Sequence, residues 1–251
     1  MRTLSVFFVI PLVTIVYSVT VLVHMVLFRD KDVFYRYARS WSRVLLRLAG
    51  VRVILTEPGT NSHLHAGPTP GKTEYHPAQR YIYAANHSSL FDIPVVLAYL
   101  PDNVRIMYKQ ELERIPIFGW CLKYSPFIPI NRTKARDANS AIDATAGTIR
   151  SGTSVLVFPE GTRSADGQPG PFKRGVATLA MRSSVAVRPV AIVGTATIMP
   201  ARTYRVSGGT VNLIVMPALS LDATAGRDQQ NEFVEHIRSA IVSHVTLQHD
   251  T

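Results

Sequence analysis

The chain is expected to fold as an α/β domain with a central mixed sheet covered by helices, behind an N-terminal helical anchor embedded in a membrane. Three observations predict this. From residue 51 onward, short β-branched runs alternate with helical stretches. Residues 4–28, LSVFFVIPLVTIVYSVTVLVHMVLF, hold no Asp, Glu, Lys or Arg. The stretch that follows mixes arginines with aromatic rings. The division falls at residues 1–49 for the anchor and 50–251 for the α/β domain.

A helix over residues 4–28 reaches across, or deep into, a hydrocarbon core about 30 Å thick. It is too long for a signal-peptide core, and no small-residue cleavage site follows it. Next comes RDKDVFYRYARSWSRVLLRLAG, with Arg29, Lys31, Arg36, Arg39, Arg43 and Arg47 against Asp30 and Asp32. If residues 4–28 span, that flank holds the rest of the chain on the cytoplasmic side. Phe34, Tyr35, Tyr37 and Trp41, with Leu45, Leu46 and Leu48, suit a helix lying in the membrane interface.

VRVILT (51–56) reads as a strand. Residues 57–79 have no apolar period and many Gly, Pro and His, which predicts a long loop. Its GPTPGKT falls one residue short of P-loop spacing, and two prolines remove N–H donors such a loop needs. His63, His65 and His76 have no Cys or acid partners at ligand spacing, so no metal site is expected. RYIYAA follows as a strand, and DIPVVLAYL as a helix with Ser88 or Ser89 as its N-cap. VRIMYK is a strand ending at Lys109, QELERIPIFGWCLKYS gives helical turns, and PFIPINR is a strand ending at Arg132. DANSAIDATAGTIRSG is a helix with a Gly stop, and SVLVFPEGTRS a buried strand running into a loop. RGVATLAMRSS (helix), VAVRPVAIVG (strand) and TVNLIVMPAL (strand) come next. The closing helix, QQNEFVEHIRSAIVSHVTL, sets Phe233, Ile237, Ile241 and Val245 on one face.

Lys and Arg total 27 against 17 Asp and Glu, a net charge of +10. That excess calls for an anionic partner. The low aromatic fraction and the lack of a long basic stripe count against nucleic acid. The single cysteine, Cys121, cannot close an intrachain disulfide and reads as a small core residue.

Two stretches carry chemistry. His87 sits in the turn after a strand, where α/β sheets place reacting groups, and Asp92 lies in the first turn of the next helix. An aspartate there can fix the imidazole tautomer and stabilise the imidazolium. No G-x-S-x-G is present, so the pair lacks a protein nucleophile and suits direct activation of a substrate hydroxyl. The second stretch is FPEGTRS, residues 158–164. Gly161 lets backbone N–H groups approach an anion, and Arg163 can grip a phosphate with two N–H groups. Lys109, Arg132, Lys173 and Arg174 fall at or near strand ends, where several cations on one sheet edge would make a phosphate pocket.

These blocks resemble the 1-acyl-glycerol-3-phosphate acyltransferase family of glycerolipid acyltransferases. Its N-H-x-x-x-x-D block is matched by Asn86–Asp92, and its K-x-E-L and I-P-x-x-G by KQELERIPIFG from Lys109. A block near FIPINR ends at Arg132, and F-P-E-G-T-R-S is matched residue for residue. F-K-x-G is met by Phe172–Gly175, and V-x-P-V by Val187–Val190. Order and spacing agree over about residues 50–200. The departure is the loop at 57–79, which is longer than usual and so placed to alter substrate access or a partner contact.

The resemblance implies acyl transfer from acyl-CoA or acyl carrier protein to the sn-2 hydroxyl of lysophosphatidic acid, giving phosphatidic acid. His87 would be the base and Asp92 its holder. Arg163, with Lys109, Arg132 and Lys173, would bind the acceptor phosphate beside Glu160, Gly161 and Thr162. The thioester is a co-substrate, and no cofactor is implied. The expected partners are membrane lipids, lysophosphatidic acid, acyl-CoA and acyl carrier protein, with the site on the cytoplasmic side of a membrane. The same motifs serve other acceptors: glycerol-3-phosphate, other lysophospholipids and hydroxylated amino-acid lipids. Two readings of other classes stand beside these: a thioesterase or lipid hydrolase, and a non-catalytic membrane-anchored lipid-binding module.

Overall fold

A computed structural model describes residues 2–28, 33–57, 79–130 and 135–246. Side-chain environments are described for fewer positions, beginning at Phe8 and, in the helix after residue 134, at Ser140. The P-loop-like GPTPGKT, the loop histidines, Arg29, Lys31 and Arg132 lie outside the described residues.

Among the described residues, seven strands form one sheet in the order β1-β7-β6-β2-β5-β3-β4. They are β1 (Val51–Thr56), β2 (Ile82–Ala85), β3 (Arg105–Lys109), β4 (Ile128–Ile130), β5 (Val155–Val157), β6 (Val187–Val193) and β7 (Gly209–Val215). All neighbouring pairs are parallel except β6 with β7, so the sheet is mixed as expected. β2 holds the middle of the sheet and is buried at every residue. A strand covered on both faces reads as a continuous apolar run, which is why IYAA shows no alternation.

Successive side chains on these strands point to opposite layers. Tyr83, Leu156, Val190, Ile192 and Leu213 face a core closed by α2 (Val33–Ala49) and α3 (Asp92–Tyr99). Ile82, Val155, Val157, Ala191 and Ile214 face a second core. That one is closed by α5 (Ala135–Arg150), α6 (Gly175–Ser183) and α8 (Arg227–Thr246), with Phe233, Ile237, Ile241 and Val245 buried on the predicted face. Two short helices, α4 (Phe118–Tyr124) and α7 (Thr195–Ile198), follow β3 and β6.

α1 (Arg2–Phe28) is the one described helix long and apolar enough to cross a membrane. Phe8, Leu12, Val16, Val19, Val23 and Val26 form an exposed stripe along it. Its other side is engaged. Val21 joins Val33, Phe34, Tyr35 and Cys121 in a third cluster, and Trp41 Nε1 donates to Thr14 Oγ1 at 3.1 Å. Cys121 is buried there, and burial pushes its thiol up to about 11, which fits an inert core residue.

The edge holding the N-terminal ends of β2, β5 and β6 is bound by polar contacts. Tyr83 and Ser154 hydroxyls both donate to Asp102 Oδ2, at 2.9 and 2.6 Å. Burial, with Asp102 beside it, raises the Tyr83 phenol far above its ordinary range and keeps it a donor. Arg188 reaches Glu57 at 3.7 Å. β1 runs toward this edge, and Gln79 lies just before β2. Both described flanks of residues 58–78 therefore sit away from the His87 edge of the sheet.

Arg39 of α2 closes the end of α3. Its guanidinium donates to the carbonyls of Leu100, Pro101 and Asp102 at 2.8, 3.1 and 2.9 Å. Arg39→Ala is expected to cost roughly 1.5–3 kcal/mol in denaturant unfolding, because charge-assisted bonds are lost. Arg39→Lys should recover little of it, since an ammonium cannot fork across three carbonyls.

Candidate active site

The site is built at the C-terminal ends of β2, β5 and β6, where the strands stop and the chain must turn. After Ala85, the Asn86 amide bridges to β6: Nδ2 donates to Ile192 O at 2.9 Å and Oδ1 accepts from Ile192 N at 2.8 Å. This two-way bond continues the sheet with a side chain and fixes where His87 begins.

Asp92 has no exposed surface, so its carboxylate depends on protein donors. Oδ2 accepts from Ser88 N at 2.8 Å and Ser89 N at 2.9 Å, and meets His87 Nδ1 at 2.7 Å. Oδ1 accepts from the Thr195 hydroxyl at 2.5 Å. A carboxylate offers no hydrogen, so Nδ1 carries the proton in that contact. Nε2 is then the basic nitrogen, and the His87 side chain keeps 19% of its surface exposed. The imidazole lies on the Phe158 ring, centroids 4.1 Å apart and planes 19° apart, which sets its tilt.

Ser89 meets the sequence expectation in part: its Oγ accepts from Phe91 N at 3.2 Å at the entry to α3. The N-cap position is Phe91, with no side-chain cap. Ser88 Oγ pairs with Thr195 Oγ1 at 3.0 Å, and Ser89 Oγ donates to Met199 O at 2.8 Å. Asp92 reaches back from the first helical turn and takes the N–H groups of both serines itself. With Ser89 Oγ on Phe91 N and Asp92 on Ser89 N, the two side chains satisfy each other's backbone donors reciprocally.

The FPEGTRS loop lies against this turn. Ser164 N donates to His87 O at 2.8 Å. Glu160 is 8% exposed, and both its oxygens are engaged by backbone: Oε1 by His87 N at 2.8 Å, Oε2 by Gly170 N at 3.1 Å. Burial raises the Glu160 carboxyl above its ordinary range, and the two N–H donors only partly offset it. Gly161 has φ +77°, and a Cβ there would stand 2.7 Å from Lys173 Nζ, so the lysine amine overlies this glycine. Lys173 N is tied to Pro159 O at 3.0 Å. Thr162, Arg163 and Arg174 are exposed beside them. Lys109 ends β3 on the same sheet edge, paired with Glu111 at 3.5 Å.

His87, Asp92, Glu160, Gly161 and Lys173 are thus brought together, with Thr162 and Arg163 on the same loop. Thr195 was not foreseen. It follows Gly194, which turns the chain at φ +98° where a Cβ would meet Thr210 O at 2.5 Å. Nothing in the local sequence links it to Asp92, 103 residues earlier. Among the described residues, no group of three or more His, Cys, Asp or Glu could hold a metal ion.

Known proteins are similar to this chain. The Acyltransferase family model matches residues 69–193. A chloroplastic 1-acyl-sn-glycerol-3-phosphate acyltransferase of Brassica napus is 34% identical over 135 residues, which is 53% of this chain and 39% of that protein. Its counterpart from Arabidopsis thaliana is 35% identical over 135 residues, 53% and 38% of the two chains. The match thus spans about two fifths of either plant protein. The crystal structure of a 1-acyl-sn-glycerophosphate acyltransferase from Thermotoga maritima shares the fold, with TM-score 0.74 and 24% identity over 96% of this chain and 93% of that one. On its ordered motif blocks, the family model and these relatives, the chain belongs to the acyltransferase family that includes the 1-acyl-sn-glycerol-3-phosphate acyltransferases.

Proposed function

We propose that this protein transfers a fatty acyl group from acyl-CoA or acyl carrier protein to the sn-2 hydroxyl of 1-acyl-glycerol-3-phosphate, forming phosphatidic acid. The observation that carries the reading is His87 held at 2.7 Å by a fully buried Asp92, with Nε2 left as the base. Nε2 takes the hydroxyl proton as the acceptor oxygen attacks the thioester carbonyl. The tetrahedral adduct expels the thiolate, which recovers the proton from the imidazolium. Asp92 stabilises that imidazolium between the two steps. No acyl-enzyme is needed.

Arg163 and Lys173, with Gly161 and Thr162 shaping the loop, form the acceptor-phosphate site, and Lys109 and Arg132 complete it. Glu160, with each oxygen on a backbone N–H group, also holds the His87 turn to the phosphate loop, a positioning part beside the substrate contact expected of it. The anchor reading is supported by the exposed stripe of α1 and the arginines of α2. The engaged opposite side of α1 favours a helix lying in one leaflet over one that crosses. The catalytic edge then faces the cytoplasm, where a soluble thioester arrives.

The test supplies labelled acyl-CoA and acyl carrier protein with lysophosphatidate, glycerol-3-phosphate and lysophosphatidylglycerol as separate acceptors. Labelled phosphatidate from lysophosphatidate alone is expected. Free fatty acid without a diacyl product would replace the reading with hydrolysis. His87→Ala should lower kcat by about 10²–10⁴-fold while the protein stays folded and membrane-bound. Arg163→Ala should raise KM for the phosphorylated acceptor roughly tenfold and leave KM for the thioester unaltered. Thr195→Val leaves one Asp92 oxygen without its donor and should lower kcat roughly tenfold, while Thr195→Ser stays near wild type.

A further inference from the structure

α4 has two unlike faces. Phe118, Cys121 and Leu122 turn inward and, with residues of α1, α2 and α3, line an apolar cavity of about 110 Å³. Trp120 and Tyr124, one helical turn apart, point the other way and are 55% and 65% exposed. Ile115, just before the helix, is 44% exposed. Arg114 and Lys123 are exposed in the same short segment.

Two large rings and an isoleucine have no reason to face water together when the same helix buries its other side. Indole and phenol rings suit the boundary between acyl chains and headgroups, where one end is apolar and the other wet. Lysine and arginine beside them suit an anionic leaflet. The neighbour of α4 supports the same occupant: α4 packs on α1, the helix with the exposed apolar stripe.

We propose that the Trp120–Tyr124 face of α4 is a second membrane contact, seated at the headgroup level beside α1. The proposal rests on the reading that α1 lies in the bilayer. It also gives α4 a role in catalysis. The segment leading to α4 continues directly from Lys109 at the catalytic edge. Seating α4 at the interface holds that edge level with the headgroups, so a lipid acceptor can present its hydroxyl to His87 while its chain stays in the bilayer.

The chain has two tryptophans, Trp41 and Trp120, so Trp41→Phe isolates the reporter. The full chain is reconstituted into phosphatidylcholine–phosphatidylglycerol vesicles, with lipids brominated either near the carbonyl or deep in the chain. Trp120 emission should shift to the blue relative to detergent-free buffer spectra of a water-exposed tryptophan, and shallow bromines should quench it more than deep ones. If Trp41→Phe fails to fold, the difference between wild type and Trp120→Phe gives the same signal. The double variant Trp120→Ala/Tyr124→Ala should raise KM several-fold for acceptor in vesicles and leave turnover of a short-chain soluble acceptor unchanged. Protein that floats with vesicles while Trp120 is neither shifted nor quenched overturns the proposal and spares the α1 reading. Protein that does not float overturns both. Quenching that is absent while Trp120→Ala/Tyr124→Ala dissociates a dimer assigns the face to a second copy of the chain.

Discussion

The buried carboxylate of Asp92 is the constraint on which the His87 edge of the sheet depends. A charge without exposed surface is tolerated only when donors replace water. Asp92 draws its donors from two parts of the chain far apart in sequence, the turn after β2 and the helix after β6. Satisfying it therefore fixes the path of both segments. His87 gains its orientation from the same requirement, because its Nδ1 is one of the donors. The loss of any one donor would loosen the imidazole as well as the acid.

The sheet separates chemistry from scaffold. One edge holds His87, the FPEGTRS loop and the basic residues near them. The other holds the Tyr83–Asp102–Ser154 network, the Glu57–Arg188 pair and the Arg39 clamp on the end of α3. The clamp links the arginine-rich α2 to the helix that begins at Asp92. The position of α2 and that of the His87–Asp92 pair are thus joined through one helix of eight residues. The long segment after β1, expected to affect substrate access or a partner contact, has its described flanks toward the scaffold edge.

Glu160 shows how a motif residue can be legible without its role being so. In sequence it is an acid inside a block expected to bind phosphate, where its charge would repel such a ligand. In the fold its oxygens turn away to meet the amides of His87 and Gly170, with burial raising its carboxyl. It joins the two motif blocks to each other. Ser88 and Ser89 give the converse case. Their composition and position fit helix caps, and Ser89 Oγ does accept from Phe91 N, but the same hydroxyl also donates to Met199 O and Ser88 Oγ pairs with Thr195, contacts that no local pattern announces.

The sequence by itself determined the alternation of strands and helices, the apolar N-terminal segment, the buried face of the last helix and the pairing of His87 with Asp92. Each of these follows from interactions within a few residues or from a repeat that reflects one buried side. Only the tertiary structure decided the strand order, the antiparallel β6–β7 pair, the bridge from Asn86 to Ile192 and the place of Thr195 beside Asp92. Those depend on which distant segments meet, and pairing partners leave no mark on local periodicity. Thr195 is the clearest instance: a threonine after a glycine looks like any turn residue until the sheet carries it to a buried charge that needs one more donor.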